Sequence, residues 1–266
     1  MDARIESNRA FWDELVGVHV RAPDWYDLDT FRTGRQTLRT IETEEVGDVR
    51  GKRLLHLQCH FGMDTISWAK RGARVVGADF SPEAIGLARQ LSEELSVEAD
   101  FVCSNIYDLP QHLEGEFDIV FTSYGVLCWL PDLTEWGKVI DHFLAPGGFF
   151  YIVDQHPAGA LFSERDGELV ASEPYFDLGP IEETGDGSYA DRNAILRNKT
   201  TFEWRHPLSD VVNALASNGL RVDFLHEFPF CMFQWLPAMV KGEDGWYRVP
   251  GHENVPFLFS LKASKT

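Results

Sequence analysis

The chain has 266 residues, 44% of them hydrophobic, and a formal net charge of −18. That supplies one large core and too little length for two full-sized domains, and so acidic a field, with no dense Lys/Arg run to offset it, excludes nucleic acid as the expected partner. No apolar stretch reaches membrane-spanning length, and the opening "MDARIESNRAFWDEL" lacks the basic patch and apolar segment of a secretory signal, so a cytoplasmic protein that stays off membranes is expected.

In chain order, "ESNRAFWDELVGVHV" and "TGRQTLRTIETEEV" read as two helices joined by the aromatic-rich connector "APDWYDLDTF". "RLLHLQC" is an apolar run of strand length, followed by the helical "MDTISWAKRG" ending at Gly72 and a second strand, "ARVVGADF", that ends in an acid. "SPEAIGLARQLSEEL" opens a helix with Ser81 as N-cap, Pro82 in the first turn and Glu83 behind it. "ADFVCSN" and "FDIVFTSYG" are the third and fourth strands. "DLTEWGKVIDHFLAPGG" is an amphipathic helix stopped by Pro146-Gly147-Gly148, and "FFYIVDQHP" is the fifth strand. Strands alternating with helices at this spacing build βαβ units around a parallel sheet.

Residues 158–200 break the pattern with clusters of Gly, Asp, Glu and Pro. They read as an insertion of loops with a short antiparallel ribbon, since a structureless loop of that length is improbable without a function. "PLSDVVNALASNG" is then a helix, and "LRVDFLHEFPF" and "VPFLFSLKAS" are strands without a crossover helix between them, expected antiparallel to one another at an edge. Cys59, Cys103, Cys128 and Cys231 are widely spaced with no CxxC pair, which reads as reduced, mostly buried thiols without disulfide or metal. Nothing in the sequence assigns an oligomeric state.

The order "LLHLQCHFG…ISWAKRGARVVGADFSPEAIGLAR…FVCSNIYDLP…FDIVFTSYGVLCWLPD…FLAPGGFFYIV" resembles the class I S-adenosylmethionine-dependent methyltransferases over residues 53–154. The resemblance implies an α/β, Rossmann-like methyltransferase fold: a seven-stranded, mostly parallel sheet with one antiparallel edge strand and helices on both faces. The whole chain would then be one methyltransferase domain, with 1–50 an N-terminal helical lid, 51–156 the cofactor-binding core, 157–205 an insertion or lid, and 206–266 the C-terminal helix and edge strands. The family turn is close to Leu-Asp-Leu-Gly-Cys-Gly-x-Gly; here it runs Leu55, His56, Leu57, Gln58, Cys59, His60, Phe61, Gly62, which is similar to a bacterial subgroup reading Leu-Gln-Cys-His-Phe-Gly. S-adenosylmethionine carries no phosphate, so its turn can do without some of the glycines that close backbone approach to a pyrophosphate demands. Gly62 is expected to approach the methionine moiety, so that a larger residue there would collide with it, while Gln58, Cys59 and His60 line the same end.

The resemblance places Asp79 on the ribose hydroxyls, a task for which a carboxylate accepting two hydrogen bonds is suited. Phe80 would lie beside the adenine, Asn105 would accept its amino hydrogen and Ile106 would give it a backbone N–H. Ser123 and Tyr124 would sit beneath the sulfonium, and Tyr26 and Arg35 would cover the methionine end, Arg35 by pairing with the carboxylate. The acceptor is expected to be a small molecule. For a base, His156 after the fifth strand is the first candidate, with Tyr124, His206, Trp129 and His19 also near the expected site. Two rival functions remain open on the sequence: a non-catalytic cofactor-binding or regulatory module, and a nicotinamide-dependent oxidoreductase, which "CHFGMDT" disfavours because it lacks Gly-x-Gly-x-x-Gly.

Overall fold

A computed structural model describes residues 2–165, 168–176 and 179–266. Helices α1 (Ala3–His19), α2 (Leu28–Arg32) and α3 (Thr40–Val46) lead into β1 (Arg53–Leu57), α4 (Met63–Lys70), β2 (Arg74–Asp79), α5 (Pro82–Glu94), β3 (Asp100–Cys103) and β4 (Phe117–Ser123). Next come α6 (Leu133–Phe143), β5 (Leu144–Gln155), the short strands β6 (Phe162–Arg165), β7 (Glu168–Ala171), β8 (Ile181–Thr184) and β9 (Thr200–Glu203), and α7 (Leu208–Ser217). The chain closes with β10 (Leu220–Phe228), β11 (Val240–Lys241), β12 (Tyr247–Arg248) and β13 (Leu258–Lys265).

Seven strands form the central sheet in the order β10-β13-β5-β4-β1-β2-β3. β3, β2, β1, β4 and β5 are parallel, while β13 runs antiparallel to both β5 and β10. The reversed strand therefore lies one place in from the edge. Both faces are buried, so each strand splits its apolar residues between two cores with a period of two. Leu55, Leu57, Val120, Phe150 and Ile152 join Trp136 of α6 and Leu215 of α7 in one cluster. Leu54, Ile119, Phe121, Tyr151 and Val153 face the other way, onto Trp68 of α4 and onto Leu236, Trp246 and Phe257 from the connection between β10 and β13.

Strand order reverses between β1 and β4, and a crevice opens there beyond the carboxyl ends of the strands. The insertion supplies two antiparallel hairpins, β6–β7 and β8–β9. Helix α1 seals the outer edge of β9: Asn8 Nδ2 donates to the Phe202 carbonyl (2.7 Å) and Asn8 Oδ1 accepts the Phe202 N–H (2.8 Å), so one buried amide stands in for a neighbouring strand.

The helix expected over "TGRQTLRTIETEEV" is shorter than the sequence pattern. Only Thr40–Val46 is helical, with Glu42 bonded back to the N–H of Arg39, itself extended, and Arg35, Thr37 and Arg39 before the helix line the crevice without regular structure. No described helix is long and apolar enough to cross a membrane. The four thiols are unpaired, Cys59 and Cys231 buried and Cys103 exposed.

Candidate functional site

A cavity of about 1310 Å³ occupies the crevice, lined by the turns after β1, β2, β4 and β5, by α1 and the connector after it, and by the insertion. Its backbone is unusual. Among the described residues four non-glycines have positive φ, and three of them, Gln58 (55°), His60 (51°) and Tyr124 (51°), line this cavity. An L-residue in that region costs about 1–2 kcal/mol, and such strain collects at functional sites. Gln58 and His60 stand where the family turn has glycine, so the backbone shape is kept and the side chains are added.

Each side chain in the turn has its own use. Gln58 Nε2 donates to the Val126 carbonyl at 3.0 Å, tying the turn to the loop after β4, while Gln58 Oε1 is buried without a partner. The Cys59 thiol packs in the apolar cluster with Phe61 and Phe101, so only its backbone belongs to the crevice wall. The His60 ring is not turned toward the cofactor end as a free donor. Its Nε2 lies 2.9 Å from His19 Nδ1 of α1, and His19 Nε2 reaches Ser188 Oγ at 3.0 Å, a chain linking the turn, the N-terminal helix and the insertion. Burial holds both imidazoles neutral, His19 down to about 3.

Gly62 (φ 75°) caps α4, and the expected collision with the cofactor is corrected by the packing. A Cβ there would stand 2.6 Å from Phe101 Cε1 and 3.0 Å from Ala88 Cβ, both in the core beneath the turn. Gly62→Ala is therefore expected to lower stability by about 2 kcal/mol, through overpacking and a left-handed alanine. A thermal melt checks this, and unchanged melting would refute the tight packing.

Asp79 ends β2 with its carboxylate at the cavity wall. Oδ2 accepts the His60 N–H (2.8 Å) and Oδ1 the Ser81 N–H (3.0 Å), yet burial pushes the acid up to about 6. Phe80 follows it in the lining. Asn105 Oδ1 accepts the Tyr107 N–H at 3.0 Å, capping the short 3-10 helix Ile106–Gln111, so that oxygen is already half used by its own backbone. Ser123 closes β4, and Tyr124 sends its hydroxyl to Glu42 Oε2 at 2.8 Å. Glu42 is fully buried, and desolvation lifts its carboxyl to about 7. The Tyr124 phenol, raised by burial and by that neighbouring acid, is thus held protonated as a donor to Glu42.

Of the two arginines before α3, the expected one is not the one facing inward. Arg35 is 64% exposed and lies 3.4 Å from Asp27, although it reaches the cavity rim. Arg39 lines the cavity with its guanidinium over the Trp246 ring at 5.1 Å and makes no ion pair among the described residues. Beside it Asp64, in the first turn of α4, accepts the Thr37 hydroxyl. Tyr26 stacks on His19, with ring centroids 4.8 Å apart, and its hydroxyl meets that of Tyr189.

At the opposite end Asp154 organises the loop after β4. Its carboxylate accepts the N–H groups of Gly125, Val126 (3.2 Å), Leu127 (3.1 Å) and Gln155 (2.7 Å). His156 has little freedom to act as a base. Nδ1 accepts the Ala158 N–H at 3.0 Å, which places the ring proton on Nε2, and Nε2 lies 2.8 Å from Glu227 Oε1, at an ion-pair distance without hydrogen-bond angles. It fastens the start of the insertion. His206 Nε2 donates to the Leu130 carbonyl at 2.7 Å. Glu203 of β9, half-buried, faces the cavity with Trp129, Trp204 and Tyr175, and burial, with the nearby Glu183 second, pushes it up to about 7.

Residues 55–152 match the methyltransferase domain family. The fold is similar to a solved S-adenosylmethionine-dependent methyltransferase from Mesorhizobium loti, with a TM-score of 0.61 and 20% identity over 82% of this chain and 93% of that one. Over 163 residues the chain is 30% identical to the ubiquinone biosynthesis O-methyltransferase of Xanthomonas oryzae pv. oryzae, covering 59% of this chain and 68% of that one. The chain belongs to the S-adenosylmethionine-dependent methyltransferases. A further relative, an uncharacterized methyltransferase of Synechocystis, is 36% identical over 132 residues, 48% of this chain and 59% of that one.

The residues of this methyltransferase suit its cofactor, which supplies a methyl group on a positively charged sulfur. An orphaned buried acceptor, Gln58 Oε1, calls for a donor such as an ammonium. Arg39 offers a fork for a carboxylate, and Asp79 keeps lone pairs for a diol. Sequence reasoning missed Arg39, Asp154 and Glu203. Glu42 gave one faint signal, an acid three residues after Arg39 in a capping position.

Proposed function

We propose that this methyltransferase acts on a small molecule with an aromatic or apolar body, held between α1, the loop after β4 and the insertion. The cofactor would lie across Gln58–Gly62, Asp79, Phe80, Asn105, Ile106 and Ser123, its methionine end reaching Arg39. Tyr26 and the His19–His60 contact would cover that end. The turn would place the chain in the Leu-Gln-Cys-His-Phe-Gly subgroup, whose glycine-free positions Gln58 and His60 keep the left-handed backbone here. The charge of −18 supports an acceptor other than nucleic acid, and the cytoplasm is the proposed place of action.

One observation carries the proposal: the cavity has two unlike halves. The turn after β1 and the end of β2 give one half its polar groups. Trp129, Trp204, Tyr175 and Trp235 give the other its aromatic walls, suited to a planar body and to keeping water from the transfer. The relative from Xanthomonas, whose name gives it a ubiquinone-pathway acceptor, is consistent with a small acceptor here.

Incubation with methyl-labelled S-adenosylmethionine and a metabolite extract is expected to label one low-molecular-weight product, identified by mass spectrometry. Label found only in protein or nucleic acid would overturn the small-molecule reading.

A further inference from the structure

The acceptor chamber, if the reading above holds, also specifies the chemistry of the group it receives. Several carboxylates reach the cavity, and their surroundings differ. Asp154 accepts four backbone N–H groups, Asp79 accepts two, and Asp64 takes the Thr37 hydroxyl. Glu203 takes none: its carboxylate makes neither a hydrogen bond nor an ion pair among the described residues. A half-buried carboxylate without donors is only partly solvated, and a ligand can complete it.

The hairpin geometry adds a second acid. In the β8–β9 pairing Ile181 opposes Glu203 and Glu183 opposes Thr201, so Glu183 and Glu203 stand diagonally on one face of the ribbon, and both line the cavity. Arg205, whose charge reaches Glu203, donates instead to Glu173 Oε2 (3.0 Å) and to the Pro174 carbonyl (3.3 Å), and Arg192 and Lys241, also in the lining, pair with neither acid among the described residues. Trp129, Trp204 and Tyr175 complete the surroundings. Two acids on one face of the ribbon, beside aromatic walls, are complementary to a ligand cation, which the ring faces attract as well.

We propose that the acceptor is an amine on an aromatic or apolar body, bound as its ammonium between Glu203 and Glu183, and that Glu203 takes the proton that frees the nitrogen for methylation. An N–H proton passes to the Glu203 carboxylate. The nitrogen lone pair then forms the N–CH3 bond as the C–S bond breaks, and the bonding pair returns to sulfur, leaving a neutral thioether. The product leaves as the N-methylated ammonium, and Glu203 returns its proton to water. Its carboxyl, lifted by burial and by Glu183, is matched to exchanging a proton near neutrality.

Isothermal titration into protein saturated with S-adenosylhomocysteine tests this, using phenethylamine and tryptamine beside 3-phenylpropanol and 3-phenylpropionate. The amines are expected to bind at least about tenfold more tightly than the alcohol or the acid. Glu203→Gln should weaken amine binding by about tenfold or more and leave S-adenosylmethionine affinity unchanged, with Glu183→Gln having a smaller effect. Equal or better binding of the alcohol or the acid, no amine binding, or an unaltered Glu203→Gln variant would overturn the proposal. The labelled product of the extract screen gives a check that does not depend on the probes: it should be retained on a cation exchanger at neutral pH, and a labelled small molecule that flows through refutes the amine while leaving the methyltransferase assignment intact. Failure of the wild-type protein to bind S-adenosylmethionine would instead strike the underlying reading of the site.

Discussion

Asp154→Ala is expected to destabilise the protein by about 3–4 kcal/mol and to abolish turnover. The carboxylate is buried at 2% exposure and is the acceptor for four backbone donors, three of them consecutive in the loop after β4. Each buried N–H left without an acceptor costs roughly 1–3 kcal/mol; relaxation and water entry into the cavity recover part of the total. The same loop carries the Val126 carbonyl that holds Gln58, and the Cys128 carbonyl that accepts the Trp204 N–H next to Glu203. Its collapse would therefore disturb both halves of the site together. For a chain of this size each 1 kcal/mol moves the melting temperature by roughly 2–4 °C, so a fall of about 10 °C is the expected readout. Asp154→Asn, which keeps one acceptor oxygen, should fall between. A melt within one or two degrees of wild type for the alanine variant would show that the loop holds itself.

Asp79→Ala is expected to weaken S-adenosylmethionine binding by about 2–3 kcal/mol, the range for losing hydrogen bonds to a charged acceptor. Tenfold in affinity corresponds to about 1.4 kcal/mol, so isothermal titration should register a loss of roughly thirty- to a hundred-and-fortyfold. The backbone contributes to that loss, because the same carboxylate holds the His60 and Ser81 N–H groups. Affinity should also depend on pH. The carboxyl of the free protein titrates near 6, above its ordinary 3.8, because it is buried. It is protonated below that value, where its charge and part of its accepting capacity are lost. Binding should therefore be at full strength above about pH 7 and weaken as pH falls through about 6. Asp79→Asn should remove that dependence. Equal affinity for wild type at about pH 5 and pH 8 would exclude Asp79 from the cofactor's partners.

The sheet was legible because its signals are local. Ser81 with Pro82 announces a helix start wherever it occurs, and the alternation of Leu54, Leu55 and Leu57 between two cores needs only a period of two. Asp79 was legible for a similar reason, since the end of the second strand fixes it at the rim. Side-chain direction was not local. Arg35 and Arg39 are four residues apart in a stretch that reads as one helix, and only the extended path before Thr40 turns Arg39 to the cavity. His156 looked like a base until the Ala158 N–H and Glu227, the latter some seventy residues on, were found at its nitrogens. Glu203 depends on a pairing with Ile181 across a loop of low regularity, and on α1 covering the far edge of the same strand. No periodicity within either segment encodes that meeting.

The left-handed turn bears on any attempt to make this protein more heat-resistant. At Gln58 and His60 a glycine would relieve about 1–2 kcal/mol of backbone strain each, but it would add chain freedom to the unfolded state and remove a working side chain: the amide that fastens the turn to Val126 in one case, and the imidazole that ties the turn to α1 in the other. A partner left unpaired costs roughly 1–3 kcal/mol, so restoring the glycines of an ordinary family member would gain no heat resistance here while cutting the connections that set this turn apart.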